Sequence, residues 1–276
     1  MRTQTEKARA FQALHQGEGA FVIPNPYDVG TARLLAHLGF AALATTSAGY
    51  AFTAGRPDHG VTREAMLQHV AAIAAAVDLP VNGDLENGYG HSPQDAAQTI
   101  LLAAAAGLVG GSIEDSTNAP SDPIYEIGLA AERIQAAVEA AHALAFPFTL
   151  TARAENYLNG RPDLDDTIRR LQAYQEAGAD VLYAPGLTRK EDIATLIRSV
   201  DRPVNVLAGL SGELDVAALA GLGVKRISVG GALARAAIGA FLSAATEMRN
   251  KGMFTFTNAA ASSRELNEIF ARFPDR

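Results

Sequence analysis

Cysteine is absent from all 276 residues, which excludes disulfides, thiolate-bound metal and a cysteine nucleophile together. An excess of basic residues is missing as well. Against 30 Asp and Glu stand 23 Lys and Arg, for a formal charge of −7, whereas nucleic acid or an anionic membrane surface selects basic patches. The N-terminal residues 1–15 carry mixed charge and lack the apolar core of a secretion signal. No window approaches the ~18 consecutive strongly apolar residues of a membrane span, because alanine-rich runs are broken by charge and glycine. The expectation is a cytoplasmic chain that engages a small molecule, with no nucleic acid and no membrane as partner. What is present is core-forming material. Hydrophobic residues make up 48% and charged residues 19%, enough for a large buried core and too apolar for disorder.

Eight short apolar runs, at residues 20–25, 41–46, 80–84, 108–114, 147–153, 180–184, 203–207 and 225–230, alternate with helical patterns. The helical stretches are 27–38, 62–77, 93–106, 125–144, 164–177, 189–200, 213–221 and 232–250. Eight strand–helix units in a row predict a parallel sheet closed as a (β/α)8 barrel, with a doubly wound open sheet as the competing fold. Pro80, Pro147 and Pro203 open strands where a missing N–H costs least, and glycines 39, 107, 178 and 223 close helices. No linker or composition break divides the chain. Residues 1–276 therefore read as one barrel domain with a short N-terminal helix and a C-terminal helical tail.

In such a barrel one face of each strand lies under helices and the other fills the interior. The alternation turns Thr149, Thr151 and Arg153 inward, with Gly110, Ser112 and Glu114 beside them, and leaves Asp115 outside. Asn205, Arg226 and Ser228 also face in, and Thr46 lies beneath the mouth. Residues i and i+2 of a strand share a face, so Asp84 and Glu86, in P-V-N-G-D-L-E-N-G-Y-G, would point the same way at a strand's C-terminal tip. That pair is either a site for a hard divalent cation or a helix-starting turn with solvated acids. With Glu114 on the neighbouring strand, ~4.8 Å away, three acids would repel one another without a cation. Arg153 is the expected partner of a carboxylate or phosphonate; its alternative is an internal salt bridge to Glu114 or Glu155.

D-L-E-N-G-Y-G at 84–90, S-I-E-D at 112–115, T-A-R-A-E at 151–155 and the G-R-P-D turn at 55–58 fall on successive strand ends. Together they resemble the isocitrate lyase and phosphoenolpyruvate mutase superfamily over roughly residues 21–248. The resemblance implies Mg²⁺, with Mn²⁺ as a substitute, held by Asp84, with Glu86 and Glu114 acting through metal-bound water. It places Asp58 close by as a proton-handling acid, and has Thr46, Ser47 and Ala48 in the stretch 45–49 cradle a substrate anion, with Asn205 also at the site. Arg153 would hold a carboxylate or enolate oxygen. A homotetramer, a dimer of dimers exchanging the helix at 232–250, is implied too.

The chain departs from that pattern in the loop after strand four. Superfamily members that cleave isocitrate or methylisocitrate carry Lys-Cys-Gly-His there, whereas residues 116–125 contain no Cys, Lys, Arg or His. Phosphonopyruvate-forming mutases use a lysine and an asparagine of the same loop; Asn118 answers only the second. What remains is chemistry that needs little beyond the metal. The expected function is an Mg²⁺-dependent lyase acting through an enolate on a small 2-oxo or 2-hydroxy acid, in the manner of an oxaloacetate decarboxylase. Phosphonate P–C chemistry and non-catalytic binding of a small anion are the alternatives.

Other features read more simply. Ser228 to Gly231 imitate a phosphate site, with close packing as the plainer reason for the glycines. Asp58 also fits a turn cap, Tyr89 closes the turn beside the acids, and His59, His91 and His142 read as surface residues.

Overall fold

The computed structural model describes residues 2–209 and 214–273. Eight parallel strands form one sheet in the order β1-β8-β7-β6-β5-β4-β3-β2: β1 (Phe21–Ile23), β2 (Leu43–Ala44), β3 (Val81–Asp84), β4 (Gly110–Glu114), β5 (Thr149–Arg153), β6 (Val181–Tyr183), β7 (Val204–Leu207) and β8 (Arg226–Ser228). The seam between β1 and β2 is bridged where the Ala44 N–H donates to the Pro24 carbonyl at 3.1 Å. The sheet is thereby a nearly closed (β/α)8 barrel, as the alternation of runs predicts.

The helices are α1 (Gln4–Gln16), α2 (Val29–His37), α3 (Ser47–Thr53), α4 (Arg63–Ala76), α5 (Pro93–Ala105), α6 (Ile127–His142), α7 (Leu164–Glu176), α8 (Lys190–Arg198), α9 (Val216–Gly221), α10 (Ala232–Lys251) and α11 (Ser263–Phe270). Their starts are written in cap chemistry. The Ser92 hydroxyl accepts from Asp95 N–H while Pro93 supplies a first position that needs no donor. Gly107 and Gly178 end helices at φ of 94° and 99°, a conformation that costs a side-chain-bearing residue energy. The expected start of α9, at residue 213, lies outside the described residues.

Strand residues Leu43, Val81, Ile113, Leu150, Leu182, Val204 and Ile227 pack under the helices in one large core, each full burial contributing about 1.5–3 kcal/mol. Phe11 of α1, wholly buried, closes the lower end of the barrel against Ile23, Ala42, Ala44 and Val109. Inside, the Arg226 guanidinium crosses from β8 to donate to Thr151 Oγ1 and Asn205 Oδ1, both at 3.0 Å, and Asn205 donates to Ser228 Oγ. These are the inward residues that the two-residue period predicts. The tail helix α11 lies on α2 of the same chain, where Arg33 also stacks over Phe273.

Among the described residues no helix is long and apolar enough to cross a membrane.

Candidate active site

A cavity of about 410 Å³ opens at the C-terminal ends of the strands. Parallel register brings the chemistry there. Glu114 of β4 is paired with Arg153 of β5, so the two side chains meet: Arg153 Nη1 lies 3.1 Å from Glu114 Oε2. The same nitrogen donates to Asp84 Oδ1 at 2.9 Å, and Nη2 contacts Glu155 Oε1 at 2.7 Å. One guanidinium thus faces three carboxylates in a site where Glu114 is 3% and Arg153 13% exposed. Burial opposes the charge on Arg153, yet Glu114, Glu155 and Asp84 hold it protonated, above its ordinary range. Burial also pushes the Glu114 and Glu155 carboxyls up despite the arginine beside them. Negative charge left over in a buried site must be answered by a proton or a cation.

Asp84 is further fixed from β2. Its Oδ2 accepts from both the N–H and the hydroxyl of Ser47 at 2.9 Å, and its own N–H donates to Thr45 Oγ1. The stretch 45–49 leads into α3, with Thr46 as N-cap accepting from Gly49 N–H. Ala48 lies in its first turn and lines the cavity with Thr46 and Ser47. Ser47 therefore serves Asp84, and both its donors are committed to it.

Glu86 does not follow Asp84. The i, i+2 argument assumes extended backbone, and Glu86 has φ of 48°, which swings its side chain away from the cavity lining toward His59. Its Oε2 is 3.4 Å from His59 Nδ1, and its Oε1 is buried with no hydrogen-bond partner. His59 is exposed, as expected of a surface residue, but the surface it lies on is the mouth of the cavity. The hydrogen bond to Glu86 raises its pKa to about 9, it lines the cavity beside Asp58, and it too has positive φ, at 60°. Asp58 accepts from the His59 N–H at 3.0 Å, which is the turn-capping role, at the rim of the cavity. Asn205 lines the floor, held by Arg226 and Ser228. His91 and His142 are exposed, although His91 bonds Tyr125 at 2.7 Å.

The set fits a divalent cation of one kind. Among the described residues no three His, Cys, Asp or Glu side chains are arranged to hold an ion by themselves. Mg²⁺ takes one or two carboxylates and keeps several waters, and Asp84 and Glu114 share one nitrogen of Arg153. The loop at 116–126 hangs beside the mouth, closed on itself by the Ser116–Ile124 bridge, with Asn118 and Pro120 facing a side pocket shared with Asp58 and His59.

A family model described as phosphoenolpyruvate phosphomutase matches residues 11–249. The chain belongs to that family. A candidate lyase/mutase from Burkholderia cenocepacia J2315 is 63% identical, with 97% of each chain covered and a TM-score of 0.96. The uncharacterized protein Rv1998c of Mycobacterium tuberculosis (strain ATCC 25618 / H37Rv) is 34% identical over 80% of this chain and 81% of its own. Oxaloacetate decarboxylase of Ectopseudomonas mendocina (strain ymp) is 28% identical over 88% of this chain and 85% of its own. The superfamily includes carbon–carbon lyases, 2-methylisocitrate lyase and oxaloacetate acetylhydrolase among them. One member, a phosphonopyruvate hydrolase alike in fold at 24% identity and a TM-score of 0.86, is seen with oxalate and Mg²⁺.

Proposed function

We propose that this chain is an Mg²⁺-dependent lyase that breaks a carbon–carbon bond of a small 2-oxo acid through an enolate, with oxaloacetate decarboxylation as the model reaction. The observation that carries the reading is the convergence of Asp84 and Glu114 on Arg153 at the barrel mouth, beside a loop, residues 116–125, that contains no Cys, Lys, Arg or His. Bound Mg²⁺ would polarise the 2-oxo group and accept charge developing on its oxygen. Asp84, held rigid by Ser47, is its direct protein ligand in this reading, and Glu86 and Glu114 reach it through water. Arg153 holds Asp84 and Glu114 in place. Once the bond breaks, a proton must reach the carbon that carried the lost group, and Asp58 and His59 at the rim are the groups positioned to direct it.

The test is pyruvate release from oxaloacetate with Mg²⁺, measured against a metal-only blank. Turnover that disappears in excess chelator supports the reading; full turnover in chelator, or none above the blank, overturns it. Phosphonate chemistry is the second reading, favoured by the family model and by Asn118 at the mouth. A phosphorus NMR spectrum of phosphonopyruvate left unchanged by the protein and Mg²⁺ eliminates it. An anion binder without turnover is distinguished by oxalate affinity in calorimetry combined with no pyruvate above the blank.

A homotetramer with exchange of α10 is part of the same reading. Of this 20-residue helix only Ala234 is buried, and Phe241 is 71% exposed, an apolar face suited to a second copy. A monomeric mass in light scattering would refute it.

A further inference from the structure

The cavity is electrically lopsided. Its β3–β5 side carries Asp84, Glu114 and Glu155 around Arg153, so the arginine assigned to the substrate is already occupied three times over. The lining contains two other arginines, Arg226 and Arg235. Neither has a carboxylate partner among the described residues. Arg226, 3% exposed, bonds only neutral groups, and its Nη1 is buried with no partner. Arg235, in the first turn of α10, is solvent-exposed, and its side chain takes part in no ion pair or hydrogen bond seen among the described residues. β8, which leads into α10, stands four strands from β4 in the barrel order, which is the far side of an eight-stranded ring from Glu114. Gly231 faces Ala48 and Thr46, where a Cβ would make ordinary contact at 3.7 and 3.8 Å, and it lines the cavity with them.

One wall therefore suits a cation and the opposite wall an anion. A dicarboxylate with a 2-oxo group satisfies both: its chelating end faces the acids through the metal, and its distal end faces the uncompensated Arg235. Resting on the lyase reading above, we propose that Arg235 is the specificity-determining residue that receives the distal carboxylate of the substrate.

The chemistry gives this assignment a signature. In decarboxylation the C3–C4 bond of oxaloacetate breaks, its electron pair forms the C2–C3 double bond as charge moves to the C2 oxygen, C4 leaves as neutral CO₂, and C3 later takes a proton from water. The carboxylate held by Arg235 loses its charge on the way to the transition state. The contact therefore binds the ground state more than the transition state, raising affinity without raising the rate.

Steady-state kinetics of Arg235→Gln and Arg235→Lys with oxaloacetate and Mg²⁺ test this, with inhibition by oxalate, which lacks a distal carboxylate arm, as the control. The expected result for Arg235→Gln is a KM higher by about 10- to 100-fold, kcat equal to or above wild type, and oxalate inhibition within about twofold of wild type. Arg235→Lys should recover part of the KM. An unchanged KM, a fall in kcat at constant KM, or an equal loss of oxalate affinity overturns the assignment. If the wild type does not decarboxylate oxaloacetate, the lyase reading fails separately. Calorimetry with 3,3-difluorooxaloacetate and oxalate then decides: a loss in Arg235→Gln confined to the difluoro compound sustains the subsite, and equal changes, or no binding of either, refute it.

Discussion

Two buried arginine–carboxylate clusters lie back to back in this barrel, fed by adjacent residues of one strand end. Glu114 turns inward to Arg153, and Asp115 turns outward to Arg170. The outer cluster is closed: Asp115 accepts from Arg170 at 3.0 Å, from Tyr174 at 2.6 Å and from the Glu155 N–H at 2.8 Å, while Arg170 also holds Asp166 and the Tyr125 carbonyl. The inner cluster sets three acids against one arginine and opens on a cavity. Equal burial and similar residue types thus serve different ends. A satisfied network braces α7 against the barrel, and an unbalanced one keeps a vacancy of charge that a cation can fill.

Removing an acid from each side separates the two. Asp84→Asn should lower turnover by about 10²- to 10³-fold while changing unfolding free energy in urea by no more than about 1 kcal/mol, because it relieves like-charge repulsion. Asp115→Asn should do the reverse in stability, costing about 3 kcal/mol by stranding Arg170, seen as a lower urea midpoint. Ser47→Ala removes one of the two donors to Asp84 Oδ2 and should weaken Mg²⁺ affinity about 10-fold in calorimetry, as loss of a ligand's outer partner does. An Mg²⁺ affinity equal to wild type would show that Asp84 needs no such brace. The smallest effect concerns pH. His59 is raised to about 9 by Glu86, so its stabilising bond is fully present below about pH 6.5 and is lost as pH rises through 9. With His59 39% exposed, solvent screening holds the contribution below about 1 kcal/mol. Denaturation of His59→Asn between pH 7 and 10 should show a flatter alkaline limb than wild type, whereas a parallel decline would assign the slope elsewhere.

The eight units, their order and the inward residues Glu114, Arg153, Asn205 and Arg226 were legible because strand alternation and helix caps are local rules. Asp84 was legible for the same reason. What escaped depended on backbone that no period describes. Glu86 and His59 both adopt positive φ, which cancels the two-residue rule at one and folds the other back over the site. The α3 helix, seven residues long with Gly49 and Thr53 in it, is too short to show a 3.6-residue pattern. Arg235 sits in a helical run where nothing local marks it, and its meaning comes from the strand it follows and the acids across the cavity.

The central claim is that the inner acids form a cation site. Electron paramagnetic resonance of added Mn²⁺ tests it directly, using wild type and Asp84→Asn. The account predicts about one bound ion per chain in wild type and loss of most of that binding in the variant; no bound Mn²⁺ in wild type, or equal binding in both, would contradict it.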